Sequence, residues 1–425
     1  MNYKKSEKLL DRALESIPLA SQTFSKSLTQ YPRGVSPFFI EKGKGAKVWD
    51  VDGNEYIDFV NSLAAVTLGY CDKNVDEAVQ KQMKNGVTFS LPHRLEMEVA
   101  EKLINIIPCA EKVRFAKNGT DATSASIRIA RAYTGRDHIA VCGYHGWQDW
   151  YIGSTTRDLG IPKGVKELTH RFEYNNIESL EKIFQEQELA CVIMEPMNVK
   201  YPKDNFLKKV KSLVHKNNAL LIFDETITGF RYSLGGAQAL FNVIPDLSTF
   251  GKGMANGYPL SAVVGSNEIM QKVEDIFFSS TFGGETLSLA AANAVIDKYK
   301  KDNVPKHLND VGGYLLKKLN QLIDNEILGD IFQTFGHPSW NFLHTREQEK
   351  YNSFEIKTFF LQEMFKRGIL TLGSHNLSFS HTRKDIDVLI SVYAEVLPIV
   401  KQHIEQGSLL ENTHGNILQP LFKVR

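Results

Sequence analysis

Four short segments carry side chains that could do chemistry, and each directly follows an apolar run of the kind that forms a β-strand. After residues 113–116 comes KNGTDATSASIRIARAYTG, where Asn118, Gly119 and Thr120 make a turn that opens a helix. A helix start offers unpaired backbone N–H groups and the positive end of the helix dipole, and a glycine there lets the backbone approach closely, so the turn can cradle a phosphate. It can equally be a turn and helix cap. After residues 138–142 comes GYHGWQDWY, with Tyr144 and His145 between Gly143 and Gly146. The tyrosine ring could stack on a flat heteroaromatic cofactor, or it could join Trp147 and Trp150 in aromatic core packing. Asp224 ends the apolar run 219–224 and is followed by ETITGFR. An ionised carboxylate there is costly unless something positive meets it, which leaves a buried cation partner or a strand-end cap. Lys252 sits between Gly251 and Gly253 after the run 248–250. A lysine held there could have its pKa lowered and act as an amine nucleophile, or it could be a solvated loop lysine.

Phosphate cradle, aromatic ring, carboxylate and lysine are together the parts that a pyridoxal 5'-phosphate (PLP) site needs: the lysine forms the Schiff base and the aspartate keeps the pyridine nitrogen protonated. Competing motifs are absent. No G-x-G-x-x-G follows the first strand, which disfavours a nicotinamide oxidoreductase, and GKG at 251–253 lacks the spacing and the Ser or Thr of a P-loop. The 12 histidines form no metal-ligand motif. The four cysteines, Cys71, Cys109, Cys142 and Cys191, are widely spaced and read as free thiols, with Cys142 and Cys191 inside apolar runs.

The elements that must position these groups follow from the rhythm of the chain. From Val113 onward, short apolar strands alternate with amphipathic stretches such as 120–133 and 203–217, the pattern of a mostly parallel sheet with helices on its faces. Strands are expected at 113–116, 138–142, 190–195, 219–224, 248–250 and 261–265. In such sheets ligands bind beyond the carboxyl ends of the strands, where all four segments lie. The N-terminal segment to about residue 35 reads as a helical arm with Leu9, Leu10, Ala13 and Ile17 at helical spacing, and AKVWDVDGNEYIDFV reads as a hairpin turning at Asp52-Gly53. Three stretches result: 1–75, an N-terminal arm and part of a small domain; 76–305, a large cofactor-binding domain; and 306–425, a C-terminal part of the small domain with a polar tail from about Glu411. At 425 residues, 42% hydrophobic and 23% charged, the chain is long enough for a large core and too apolar for disorder. A net charge of +1 without charged blocks gives no footprint for nucleic acid. With no signal-like start and no long apolar run, a cytoplasmic protein without a membrane span is expected.

The same segments resemble the class III pyridoxal-phosphate aminotransferases, and most of all their glutamate-1-semialdehyde 2,1-aminomutase branch. The likeness runs from YPRGVSP through VWDVDGNEYIDFVNSLAAVTLGY, NGTDATSASIRIARAYTGRD, YHG, IMEP, LLIFDETITGFR, PDLSTFGKGMANGYPLSAVVG and STFGGETLSLAA to FSHTRKDID, nearly the whole chain. It implies an α/β protein of PLP-dependent transferase fold type I, with a mostly parallel seven-stranded sheet in the large domain and a smaller α+β domain built from both chain ends. It makes Lys252 the Schiff-base lysine and proton shuttle and pairs Asp224 with the pyridine nitrogen. Asn118, Gly119 and Thr120 would hold the phosphate, and Tyr144 would stack on the ring with His145 beside it. Glu195 would support the site, Asn198 would contact the phenolic oxygen, and Thr281 would reach the phosphate of the other subunit in a homodimer with a shared active site.

Departures from the aminomutase pattern bear on the substrate. Ser36-Pro37-Phe38-Phe39 replaces Ser-Pro-Val-Arg, so the carboxylate-binding arginine is missing from its family position, and GILTLGSHNLSFSHT lacks the aminomutase's glutamate and the switch arginine of ω-amino acid aminotransferases. Arg33, Phe38, Glu285 and His375 become the candidate substrate residues. The expected activity is transfer of an amino group from an amino acid, glutamate or alanine, to an aldehyde or ketone, with surface-polysaccharide or amino-sugar biosynthesis as a setting. The aminomutase, or another isomerase or decarboxylase on the same scaffold, is the alternative.

Overall fold

The computed structural model describes residues 1–420; the end of the expected polar tail, 421–425, lies outside the described residues. Among the described residues the chain divides into two compact units, one formed by Met1–Asp72 together with residues 307–420, the other by Lys73–Lys306.

The larger unit is organised by a seven-stranded sheet. Its strands lie in the order Lys112–Ala116, Ser261–Gly265, Leu247–Phe250, Leu220–Asp224, Leu189–Met194, His138–Cys142 and Thr169–Arg171. The five from Leu247–Phe250 to the far edge run parallel, and Ser261–Gly265 is antiparallel to both neighbours. The short edge strand Thr169–Arg171 carries no apolar run and is the one strand of this sheet that the sequence pattern passes over. Alternation of side chains splits each central strand between two apolar layers. Ile139, Val141, Cys191, Ile193 and Ile222 pack on one face with Ile127 and Ile129 of the helix Gly119–Thr134. Ala140, Cys142, Val192, Met194, Leu221 and Phe223 pack on the other with Val210 and Val214 of the helix Phe206–Lys216. All four cysteines are free, and burial pushes the Cys142 and Cys191 thiols up to about 12, so both act as small apolar groups.

The smaller unit joins both chain ends. Strands Lys47–Asp50 and Glu55–Asp58 form the expected hairpin with Gly53 at φ +90°, and Ile369–Leu370 adds to Glu55–Asp58 in parallel. A second, three-stranded sheet holds Phe332–His337, Trp340–Thr345 and Ser374–Asn376. The N-terminal helix covers only Lys4–Ser16, not the whole segment to residue 35. Pro18 ends it, because a residue before proline is pushed out of the helical region, and Ile17 is extended at φ −132°, ψ 119°. Asn61, Ser62, Leu63 and Ala64 all have positive φ, a left-handed turn of four non-glycine residues costing about 1–2 kcal/mol each. Asp58 holds the turn's entry, its Oδ1 accepting the Val60 and Asn61 N–H groups at 2.7 and 3.0 Å.

Candidate active site

Each predicted strand end delivers its group to the carboxyl edge of the large sheet. Asp224 is the last residue of a fully buried strand, and its neighbour in the sheet, Leu247–Phe250, ends two residues before Lys252. Asp224 Oδ2 accepts the Nδ1 proton of His145 at 2.9 Å, while Oδ1 accepts the Thr226 N–H at 3.1 Å and the Thr249 hydroxyl at 3.0 Å. Burial by itself would push this carboxyl up, but the hydrogen bonds from His145 and Thr226 outweigh it and hold Asp224 below its ordinary value. Asp224 is therefore an anion at neutral pH. Thr226 and Thr249 escaped the sequence reading, because a threonine inside STF carries no signal of its partner until the strands are paired.

The two glycines of the GYHG loop, Gly143 at φ +110° and Gly146 at φ +105°, leave no room for a side chain. A Cβ on Gly143 would sit 2.6 Å from Glu195 Oε2, and one on Gly146 would sit 2.3 Å from Thr120 Oγ1. The loop thereby clamps three predicted residues together. Glu195 Oε2 accepts the Tyr144 N–H at 3.0 Å and the Asn198 amide at 2.8 Å, and burial raises its pKa. Thr123 Oγ1 donates to the His145 carbonyl at 2.9 Å. The core packing expected of Tyr144, Trp147 and Trp150 divides: Trp150 and Tyr151 are buried, whereas Tyr144 and Trp147 stand 51% and 66% exposed.

Asn118 is the N-cap of the helix Gly119–Thr134, and Asp121 accepts its N–H at 2.7 Å. Gly119 and Thr120 occupy the first two helical positions, where N–H groups lack intrahelical acceptors. The Thr120 hydroxyl is buried without a hydrogen-bond partner. An orphaned donor at the start of a 16-residue helix suits an anion's oxygen. Lys252 adopts a left-handed φ of +43° and starts the turn Lys252–Ala255, whose Gly253 carbonyl accepts the Tyr299 hydroxyl at 2.6 Å. Burial lowers its pKa from 10.5 to about 8. Cradle, amine and carboxylate thus fit PLP on this chain's own atoms.

A class-III aminotransferase family model matches residues 30–382. The chain belongs to the class-III aminotransferases. The family is PLP-dependent, and its members include transaminases and aminomutases. The chain is 34% identical to a 3-aminobutyryl-CoA aminotransferase of Cloacimonas acidaminovorans over 95% of its own length and 99% of that protein. It is 38% identical to a glutamate-1-semialdehyde 2,1-aminomutase of Francisella philomiragia over 75% of this chain and 78% of that one. Among solved structures, the Sphingopyxis sp. FumI protein with PLP as internal aldimine superposes with a TM-score of 0.88 at 26% identity, covering 95% of this chain and 98% of that one. An omega-transaminase from Sphaerobacter thermophilus gives 0.84 at 26%, covering 94% and 99%. The seven-stranded sheet with flanking helices is that of fold type I, as the resemblance implied.

The class-III aminotransferase differs from expectation at the candidate substrate residues. Glu285 caps the helix Thr286–Lys301, accepting the Leu287 and Ser288 N–H groups at 2.6 and 3.2 Å, and pairs with Lys117 Nζ at 2.9 Å. That carboxylate is committed to structure. Arg33 in the smaller unit binds Glu7 at 2.9 Å and also Asp11, tying down the N-terminal helix. His375 is wholly buried, its Nδ1 2.7 Å from Asn341 Oδ1 and its Nε2 2.7 Å from the Tyr393 hydroxyl. Burial lowers its pKa to about 3, so it is a neutral core histidine with neither nitrogen left for a substrate. Phe38 lines a cavity of the smaller unit. Thr281 lies exposed in the larger one. Because the Arg33 pairs are partly exposed, Arg33→Ala is expected to lower stability by less than about 1 kcal/mol and to change KM for any carboxylate substrate less than about twofold. Thermal unfolding and steady-state kinetics check this, and a tenfold rise in KM would return Arg33 to the substrate.

Proposed function

We propose that this class-III enzyme is a transaminase that moves an amino group between an amino acid donor, glutamate or alanine, and an aldehyde or ketone acceptor, as a cytoplasmic homodimer. The observation that carries the reading is the pairing of a buried, anionic Asp224 with a desolvated Lys252 at the ends of adjacent strands. When bound, PLP supplies an electron sink for negative charge developing at the substrate carbon. Lys252, neutral above about pH 8, takes the proton from that carbon and returns it as general acid. Asp224 stays charged and would hold a proton at the pyridine nitrogen, with His145, Thr226 and Thr249 keeping its carboxylate in place. The Gly119 and Thr120 N–H groups and the Thr120 hydroxyl would bind the phosphate, Tyr144 would stack on the ring, and Asn198, whose amide Glu195 accepts, would contact the phenolic oxygen. Thr281 completes the phosphate site of a second copy; the exposure of Phe282 (57%) and Phe277 (85%) near it in sequence is consistent with a surface that a partner covers. No helix among the described residues is long and apolar enough to cross a membrane.

The aminomutase is kept as a second reading because of the 38% identity to an enzyme of that name. The deciding experiment is a half-reaction screen in which the holoenzyme is mixed with single amino compounds and the visible absorbance of its cofactor is followed. Loss of the band with glutamate or alanine supports the transaminase. The aminated enzyme is then offered carbonyl acceptors, including a keto sugar for the amino-sugar setting and the 3-oxo thioester that corresponds to the 3-aminobutyryl-CoA relative. Turnover of glutamate-1-semialdehyde alone, without a donor, would replace this reading with the aminomutase.

A further inference from the structure

Tyr151 ends the segment GYHGWQDWY, and the sequence assigns it no part in the site. In the fold it lies on the short helix Asp149–Ile152 and is 1% exposed. Its hydroxyl donates to the Gly143 carbonyl at 2.8 Å, so it pins the glycine that opens the Tyr144–His145 loop at φ +110°. Burial pushes the phenol above its ordinary value, which keeps the proton on the oxygen for that bond. The Tyr151 ring also meets both side chains that the loop presents. It stands edge-on to Tyr144, with centroids 5.6 Å apart at 88°, and edge-on to His145 at 5.4 Å and 78°. Edge-to-face pairs of this kind favour one orientation as well as burying area. Trp150 stacks on His145 at 6.3 Å and 16°, and is itself held by its indole N–H, which donates to Ser124 Oγ at 2.9 Å. Trp150 and Tyr151 thus set the plane of the His145 ring, whose Nδ1 meets Asp224 Oδ2 at 2.9 Å. One side chain, His145, links Tyr151 to the carboxylate.

We infer that Tyr151 is a positioning residue of the cofactor site, fixing the loop through the Gly143 carbonyl so that His145 holds the Asp224 carboxylate and Tyr144 keeps its proposed place at the ring. This rests on the role proposed above for Asp224, and not on which amino donor is used. Without the hydroxyl, the Gly143 carbonyl loses its donor, and the loop gains freedom where two glycines already supply it. His145 then bonds Asp224 in a smaller fraction of molecules. Burial raises the Asp224 carboxyl and the His145 hydrogen bond is the largest effect that lowers it, so a loosened His145 moves Asp224 upward. Tyr144, Glu195 and Lys252 also feel that carboxylate, and Arg171 and Glu195 act electrostatically on Tyr151. These groups stay in place when only the hydroxyl is removed.

Tyr151→Phe keeps the ring and removes the hydroxyl, and its effects are measured alone and in a His145→Gln background. PLP affinity of the apoprotein, read by titration of the cofactor absorbance, is expected to weaken about fivefold, the scale of one hydrogen bond. With the donor that the half-reaction screen identifies, kcat should fall about tenfold while KM changes less than about twofold, and the acid limb of the kcat profile should move to higher pH. In the His145→Gln background the same substitution should change affinity and kcat less than about twofold, because its route to Asp224 is already cut. Tyr151→Leu, which also removes the ring contacts, should cost about tenfold more than Tyr151→Phe. Cooperative thermal unfolding of each apoprotein shows that it is folded, and if Tyr151→Leu fails to fold, Tyr151→Phe alone carries the test. Unchanged PLP affinity and an unmoved acid limb in Tyr151→Phe, or losses that multiply fully with those of His145→Gln, would assign Tyr151 to fold stability and overturn the inference. An enzyme that no amino donor converts, but whose PLP affinity shows the coupled loss, would refute the transaminase reading alone. A working donor with uncoupled losses would refute the positioning role alone.

Discussion

Multiple turnover is expected to fall by roughly 10⁴-fold or more when Lys252 is replaced by alanine, because one side chain supplies both the amine that bonds the cofactor and the base that moves the substrate proton. Alanine takes the same left-handed backbone as lysine at similar cost, so the fold is expected to survive. The Thr120 cradle remains, and the cofactor should still bind but leave on dialysis. Lys252→Arg should be as inactive as Lys252→Ala, since a guanidinium keeps the charge and loses the nucleophile. In the wild type, burial that lowers the amine to about 8 has a further consequence. The rate of reconstitution with PLP should rise about tenfold per pH unit as the neutral fraction grows, then level off above about pH 8. Cycling by Lys252→Ala at near wild-type rate, or reconstitution insensitive to pH below 8, would contradict these roles.

Asp224→Asn keeps the size of the side chain and removes its charge, and kcat is expected to fall about a thousandfold, the scale seen when one preorganised electrostatic partner is lost. The amide oxygen can take the place of Oδ1 and still accept from Thr226 and Thr249, while an amide N–H replaces the oxygen that accepts from His145, so the loss combines the charge with that one hydrogen bond. Asp224→Glu should recover part of the activity. The wild-type carboxylate, held below its ordinary value, keeps its charge across neutral pH, and its contribution to stability is lost only as pH falls through that lowered value. Saturating-substrate kinetics of both variants, with the cofactor spectrum recorded alongside, measure this. An Asp224→Asn enzyme within tenfold of wild type would remove Asp224 from its proposed place at the ring nitrogen.

What could be read before folding depended on how local each signal was. The central strands were legible because a strand buried on both faces must be almost wholly apolar, and Leu189–Met194 and Leu220–Asp224 are buried at every position. Asp224 and Lys252 were legible because a charge directly after such a strand is costly unless it is used. Thr169–Arg171 was not, since a three-residue edge strand needs only one neighbour and little burial. Thr249 was invisible for a related reason: its hydrogen bond to Asp224 exists only once adjacent strands set their register, whereas Thr226 acts through a backbone N–H two residues on, which its side-chain type does not signal.

The substrate candidates show the opposite limit. Arg33, Glu285 and His375 each had a residue type suited to a carboxylate or a proton, and composition alone could not say which already had partners. Folding supplied those partners, with Glu7 and Asp11 for Arg33, Lys117 and a helix start for Glu285, and Asn341 and Tyr393 for His375. Periodicity and strand-end chemistry, which act over a few residues, determined the fold class and the cofactor from the sequence by itself. The satisfaction of each polar group depends on residues tens or hundreds of positions away, so which side chains remain free for chemistry was decided only by the tertiary structure.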